Sequence, residues 1–310
     1  MKLQGLHHIT MITGDAQRNV DFYAGTLGLR LVKQTVNFDD PGAYHLYFGD
    51  ESGSPGSIMT WFEYAGARRG APGAGMVHTL QLGIPAAAAL SFWEARLAAQ
   101  GVSVQRDDAS LRFEDWEGLR LELVVAQEGN VPLVATHPEI PREFAITGIE
   151  GARAYAAGAT VEDDLLTETL GFTQLGGGSY RLDGRERRFH WTVDPAERGG
   201  LPGAGTVHHI AWATADDAQL QWRDRLLAAG SYVTDVKDRD YFRSIYFREP
   251  NGVLFEIATL SPGFAIDEEP ERLGEALRVP AMHAHLRERI VQALVPIVNP
   301  RVAARQAVTG

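Results

Sequence analysis

One pattern occurs at both ends of this chain. Gly5-Leu-His-His-Ile-Thr-Met-Ile-Thr13 and Gly205-Thr-Val-His-His-Ile-Ala-Trp-Ala-Thr214 each set two adjacent histidines in a frame of β-branched and small apolar residues. A weaker copy is Gly75-Met-Val-His-Thr-Leu-Gln-Leu82. Such runs read as strands, and their recurrence defines a building block that any fold must repeat.

The residues after each copy keep one order. In the first unit a strand over 6–12 gives way to a helix with Asp15 as N-cap, Val20, Tyr23 and Leu27 at helical spacing, and Gly28 as its stop. Strands over 29–38, 44–48 and 57–62 follow, separated by turn chemistry at Asp39-Asp-Pro-Gly42 and Asp50-Glu-Ser-Gly-Ser-Pro-Gly56. The second unit predicts a strand over 76–84, a helix over 85–99 opened by Pro85, and strands over 102–105, 110–114 and 119–125. The third predicts a strand over 145–153, a helix over 161–170, and strands over 177–182 and 189–193. The fourth predicts a strand over 206–214, a helix over 215–229, and strands over 232–237, 243–247 and 253–259. The expected fold class is therefore α+β: four tandem βαβββ modules forming two half-open barrels. Modules one and two occupy 1–126, a proline-containing linker 127–142, modules three and four 143–262, and a C-terminal helical extension 263–310. Within that extension 273–294 is amphipathic and interrupted by Pro280, which predicts helices packed on the outside.

Composition narrows the chemistry. With no cysteine, the chain has no disulfide, thiolate metal site or cysteine nucleophile, so any metal must be held by nitrogen and oxygen. A net charge of −11 repels a polyphosphate backbone, so no nucleic-acid partner is expected. No apolar run approaches a membrane span, and Met1-Lys-Leu-Gln-Gly5 runs straight into the first strand, so a cytoplasmic protein without a membrane partner is expected.

Two histidines and one acid on converging strands would make the facial triad that leaves open positions on a bound Fe(II). Glu256 lies within Val253-Leu-Phe-Glu-Ile-Ala258, where a buried carboxylate is costly unless a cation or donor compensates. The alternative is an acid facing solvent from an edge strand. On an alternating strand His209 shares a face with Ala211 and Ala213, and His208 with Ile210 and Trp212. Aligning the opening strands sets His8 opposite Thr79, Gly148 and His209. The place of Glu256 is taken by Thr60 in the first unit and by Glu122 in the second, where a structural acid paired with an arginine is expected. The active barrel should therefore come from modules one and four.

Taken together, Leu6-His-His-Ile-Thr10, Val207-His-His-Ile-Ala211 and the run from Asp238 to Ala258 resemble the vicinal oxygen chelate superfamily. Within it the chain is similar to two-barrel ring-cleaving dioxygenases of the hydroquinone 1,2-dioxygenase type. The resemblance implies the second histidine of each pair as ligand, giving His8, His209 and Glu256 around Fe(II), with Mn(II) the alternative. It also implies His7, Thr10, His208, Arg239 and Tyr246 as substrate-contacting or supporting residues. Alternation would turn His7 and His208 away from the metal face unless the strands twist, and Arg243 competes with Arg239. The implied partners are a small aromatic substrate and O2, and an unused second barrel makes a homo-oligomer plausible. Two other readings stay open. One is a glyoxalase-like lyase or isomerase, which would want a fourth ligand where Thr60 stands. The other is a non-enzymatic protein of the same fold that binds an aromatic or antibiotic.

Overall fold

The computed structural model describes residues 1–156 and 164–302. Its first module contains β1 (Gly5–Thr13), β2 (Arg30–Val36), β3 (Tyr44–Gly49) and β4 (Ile58–Glu63). The second contains β5 (Met76–Ile84), β6 (Val104–Arg106), β7 (Ser110–Glu114) and β8 (Arg120–Val125). The third contributes β9 (Ile149–Ala156), β10 (Thr173–Gly176), β11 (Ser179–Asp183) and β12 (Arg188–Pro195). In the fourth are β13 (Val207–Thr214), β14 (Lys237–Asp238), β15 (Arg243–Arg248) and β16 (Leu254–Thr259). These strands form two eight-stranded sheets, ordered β14-β15-β16-β13-β1-β4-β3-β2 and β10-β11-β12-β9-β5-β8-β7-β6. Modules four and one thus share one curled sheet, and modules three and two share the other.

Each sheet is sewn along a central antiparallel seam. In the first, β1 pairs with β13, setting His8 beside Ala211 and Thr10 beside His209. Here the register slips twice: His7 is the extra residue on β1, and His208 the extra residue on β13. The second seam, β5 with β9, slips at the equivalent places, around His78 and Glu150. A bulge of this kind turns two successive side chains toward one face.

Aromatic packing fixes the outer face of the active sheet. Trp212 of β13 meets Phe189 and Trp191 of β12 and Phe255 of β16 edge to face, at ring separations of 5.3 to 6.3 Å. With that face buried against the second sheet, the face carrying His209 is left to the interior of the half-barrel.

Helix α1 (Ala16–Val20) starts where Asp15 accepts the Arg18 amide, continues as a π-helical stretch at Asp21–Thr26, and stops before Gly28, whose φ of +74° suits glycine. Several expected bounds shift. Helix α2 spans Ala89–Ala99, because residues 85–88 form turns rather than the helix start expected at Pro85. The fourth-module helix begins as a 3-10 turn at Asp216–Ala218 before α3 (Gln219–Ala228). Residues 232–236 form no strand: Thr234 lies beside Tyr246, joined by its amide and its hydroxyl, without a continuing ladder. Residues 145–148 precede β9 rather than belonging to it, and β10 is a strand the sequence reading did not include. In the third module the described helical part is Leu165–Thr169, and the start expected at 161 lies outside the described residues.

The tail departs most from expectation. Its helical parts are short: 3-10 turns at Phe264–Ile266, Pro270–Arg272 and Ala281–Leu286, then α4 (Arg287–Ala293). Between them residues 273–279 run along the edge strand β2 instead of coiling. Leu277 bridges Gln34, the Arg278 amide donates to the Gln34 carbonyl, and the Gln34 amide group reaches the Gly274 carbonyl at 2.8 Å. The unpaired edge of β2, with polar Arg30 and Gln34 turned outward, competes better for this segment than a helix would. The adjoining Lys33 is fully buried, donating to the Phe264 carbonyl at 2.9 Å, to Asp267 at 2.6 Å and to Glu268.

Candidate metal centre

Three side chains from three strands converge inside the first half-barrel. His8 Nε2 and His209 Nε2 lie 3.2 Å apart, Glu256 Oε2 is 2.9 Å from His209 Nε2, and 3.4 Å from His8 Nε2. Among the described residues this is the group of His, Asp and Glu donors close enough together to hold a metal ion. Glu256 is completely buried, and its Oε2 has no hydrogen-bond partner although Oε1 accepts the Ser244 hydroxyl. A buried carboxylate in that position is costly without a cation. Ligands bound at right angles about 2.1 Å from a common ion sit ~3 Å apart, so this N, N, O triangle fits one face of a six-coordinate ion. Burial alone would raise the Glu256 pKa, but His8 and His209 beside it hold the carboxyl well below the usual range.

The two bulges explain the doubled histidines. His7 and His8 turn to the same side with their Nδ1 atoms 2.9 Å apart, and His208 and His209 do the same at 2.8 Å. Both pairs are edge to face with centroids 5.0 Å apart. Were Nε2 of each inner ring to present its lone pair to an ion, that ring would carry its proton on Nδ1 and donate it to the outer ring, which would fix the tautomer. Burial and the neighbouring His8 lower the His7 pKa to about 3, so it stays neutral and able to accept. His208 is likewise lowered to about 3 by desolvation and His209, although its ring edge reaches the surface and lines a separate cleft with Met76, Pro202 and Arg248. Strict alternation, which turns the outer histidines away from the inner ones, is corrected here by the register slips.

The triangle opens onto a narrow cavity of about 30 Å³ lined by Asn37, Phe38, His45, Phe62, Phe242 and Tyr246, among others. Arg239 also lines it, with Nε 3.4 Å from the Tyr246 hydroxyl, whereas Arg243 is exposed on β15 and does not. Thr10 sits behind this wall, bonded at 2.9 Å to Thr60. His45, which the sequence reading missed, bridges Thr60 through Nε2 and the Tyr47 hydroxyl through Nδ1, both at 2.9 Å. Desolvation, with His8 and His209 nearby, holds its pKa well below the usual imidazole range. A signal was available: in a wholly buried strand, Tyr44-His45-Leu46-Tyr47-Phe48, His45 and Tyr47 share one face by period two. Ser244 was missed too, although it shares a face of β15 with Tyr246.

Register shows how the second sheet differs. Thr10 pairs with Thr60, Ala211 with Glu256, and Gln81 with Glu122, so Thr60 and Glu122 are the counterparts of Glu256. On the seams, His8 beside Ala211 corresponds to Gly151 beside Gln81, which corrects the alignment of His8 with Gly148. Glu122 is bound by Gln81 at 2.8 Å and by Arg112 at 2.9 Å, so an arginine supplies the positive charge there, as expected. A Cβ on Gly151 would lie 2.7 Å from the His190 carbonyl, leaving no room for a ligand at that place.

A family model described as the Glyoxalase/Bleomycin resistance protein/Dioxygenase superfamily matches residues 5–123 and 164–257. The chain is 45% identical over 305 residues, 95% of this chain and 97% of the relative, to a Bacillus subtilis protein named "Putative ring-cleaving dioxygenase MhqO". It is 32% identical, over 94% of this chain and 96% of the relative, to a chlorohydroquinone/hydroquinone 1,2-dioxygenase of Sphingobium indicum. A crystal structure of a dioxygenase, so described with the qualifier "putative", from Bacillus subtilis superimposes with a TM-score of 0.87 at 43% identity, covering 96% of this chain and 98% of that one. Glyoxalase I of Zea mays shares the fold alone, with a TM-score of 0.57 at 11% identity, covering 82% of this chain and 92% of that one. By the family model and by these relatives, the chain belongs to the Glyoxalase/Bleomycin resistance protein/Dioxygenase superfamily.

Proposed function

We propose that this chain is a non-haem Fe(II)-dependent, extradiol-type ring-cleaving dioxygenase that opens a hydroquinone or a related dihydroxylated aromatic with O2. The observation that carries this reading is the buried His8, His209 and Glu256 triangle, opening onto an aromatic-lined cavity in a chain related to hydroquinone 1,2-dioxygenase. These three residues would hold the ion, Fe(II) with Mn(II) the alternative, and the ion when bound would bring the phenolic substrate and O2 together at adjacent positions. Thr60, where a lyase would want a fourth ligand, is engaged by Thr10 and His45 and offers no carboxylate or ring nitrogen.

The remaining residues act on substrate and ligands. Phe38, Phe62 and Phe242 supply aromatic walls for the ring and exclude water. Arg239 and Tyr246 bind and orient a phenolic oxygen, the guanidinium favouring its ionised form. His45, buried and neutral, has both ring nitrogens engaged, by the Tyr47 hydroxyl and by the Thr60–Thr10 pair, and holds that side of the cavity in place for the ring. His7 and His208 fix the ligand rings through Nδ1. On this reading the division of the chain at 127–142 separates modules one and two from modules three and four, and each half supplies one module to the catalytic sheet and one to the supporting sheet. We assign the protein to the cytoplasm, with association of copies through the supporting sheet.

The test is metal analysis of freshly purified protein, then oxygen uptake on a panel of hydroquinones and catechols. One ion per chain and hydroquinone-dependent oxygen uptake are expected, with both lost in His8→Ala, His209→Ala and Glu256→Ala. Full iron in any of these variants overturns the ligand assignment. Turnover without oxygen uptake marks a lyase or isomerase, and binding without turnover marks a sequestering protein.

A further inference from the structure

Two loops from opposite ends of the chain meet where the cavity reaches the surface, at exposed Asp39. Residues 37–43, between β2 and β3, bring Phe38 and Asp39 to this mouth, and residues 239–242, between β14 and β15, bring Arg239 and Phe242. Across the mouth the Arg239 guanidinium donates to Asp39 at 3.0 Å and lies over the Phe38 ring at 5.5 Å. Asp39 is largely exposed, so solvent weakens this ion pair and the contact can open.

A third element reaches both loops. At the start of the 3-10 turn Ala281–Leu286, the Ala281 amide donates to Asp240 at 3.0 Å, while His283 Nε2 donates to the Phe38 carbonyl at 2.9 Å. Asp240 has φ of +58°, unusual for a residue with a side chain, and its amide is held by Asp238 at 2.9 Å. Three residues of the tail therefore span the two loops that form the mouth, and neither of these bonds touches the metal triangle.

We propose that Ala281–His283 is a strut that joins the Phe38–Asp39 loop to the Arg239–Asp240 loop as one gate. Its aperture restricts the site to single-ring dihydroxylated aromatics with small substituents. The substrate class rests on the dioxygenase reading above, while the coupling of the loops does not. Phe38 and Phe242 are buried in the cavity wall, Phe242 packing against His8 with ring centroids 5.2 Å apart, so a bulky group on the ring must displace one loop, and the strut makes that displacement carry the other with it.

Two variants cut the strut from different sides. His283→Ala removes the bond to Phe38, and Ala281→Pro removes the N–H given to Asp240. Pro280 already has the extended backbone, φ −52° and ψ 145°, that a following proline requires. Hydrogen exchange on the full-length protein is expected to quicken in both 37–43 and 239–242 in each variant, although each cut touches only one loop. On the iron-loaded variants, the ratio of kcat/KM for a tert-butyl-substituted hydroquinone to that for hydroquinone should rise about tenfold. Faster exchange confined to the loop that was cut, or an unchanged ratio in an active enzyme, overturns the gate. If the wild-type protein takes up no oxygen with either compound, the dioxygenase reading fails, and the exchange result alone decides the coupling.

Discussion

Ser244 donates its hydroxyl to Glu256 Oε1 from the neighbouring strand, which leaves Oε2 to face His8 and His209. A support of this kind fixes the rotamer of a ligand and is commonly worth 10- to 100-fold in metal affinity. Ser244→Ala should accordingly weaken iron binding by about tenfold or more while the fold persists, since a small apolar residue fits the same buried place. Competition against a graded chelator measures the loss, and Ser244→Thr should recover much of it.

His45 offers a different separation. It lines the cavity without belonging to the triangle, so His45→Asn should keep full iron and lower kcat/KM for hydroquinone by up to about 10²-fold as the wall it bridges between Thr60 and Tyr47 shifts. Iron content and steady-state oxygen uptake on the same preparation test this. A variant that retains wild-type kcat/KM would show that His45 does not position the substrate.

Glu117 ties the sheets together, accepting the Gly14 amide at 2.8 Å with its other oxygen unpartnered. Burial is the main cause that raises its pKa from 4.5 to about 7, with Asp115 and Asp15 adding to it. The folded chain therefore holds this proton more tightly than the unfolded chain. Between pH 4.5 and about 7 stability must fall as pH rises, and that loss is complete above pH 7. Glu117→Gln, which resembles the protonated form, should raise Tm over wild type at about pH 8 and much less at about pH 4. Thermal melts at the two pH values give the comparison.

Lys33 fastens the tail from inside the barrel wall. Removing one partner of a buried ion pair typically costs 3–5 kcal/mol, so Lys33→Ala should destabilise the protein by about that amount, leaving Glu268 buried beneath the tail. Urea denaturation measures the cost, and limited proteolysis should cut earliest within 263–302. Replacing Lys33 and Glu268 together by apolar residues should recover part of the loss.

Much of the fold could be read from repetition, because four strand-helix-strand cycles leave few ways to bury their apolar faces. The triangle could be read for a related reason: Glu256 sits where an acid has no other use. What escaped the sequence depends on register. The slips at His7 and His208 arise where two strands far apart in the chain meet, and nothing local to either strand announces them. His45 and Ser244 lie on strands that were recognised, yet their importance comes from which neighbour they face. The tail was read as helix from its amphipathic spacing, but the open edge of β2, formed by residues far upstream, took its first half instead.

The seam between β1 and β13 also sets when this protein can begin to work. His8 is among the first residues made, and Glu256 follows only after four-fifths of the chain, so a nascent chain exposes one ligand for most of its synthesis and cannot assemble the centre. The pairing that creates the site is among the most sequence-distant contacts in the molecule, and such contacts close late in folding. Assembly of the His8, His209 and Glu256 triangle is thereby tied to synthesis of the fourth module, and a chain truncated before β16 lacks the site altogether.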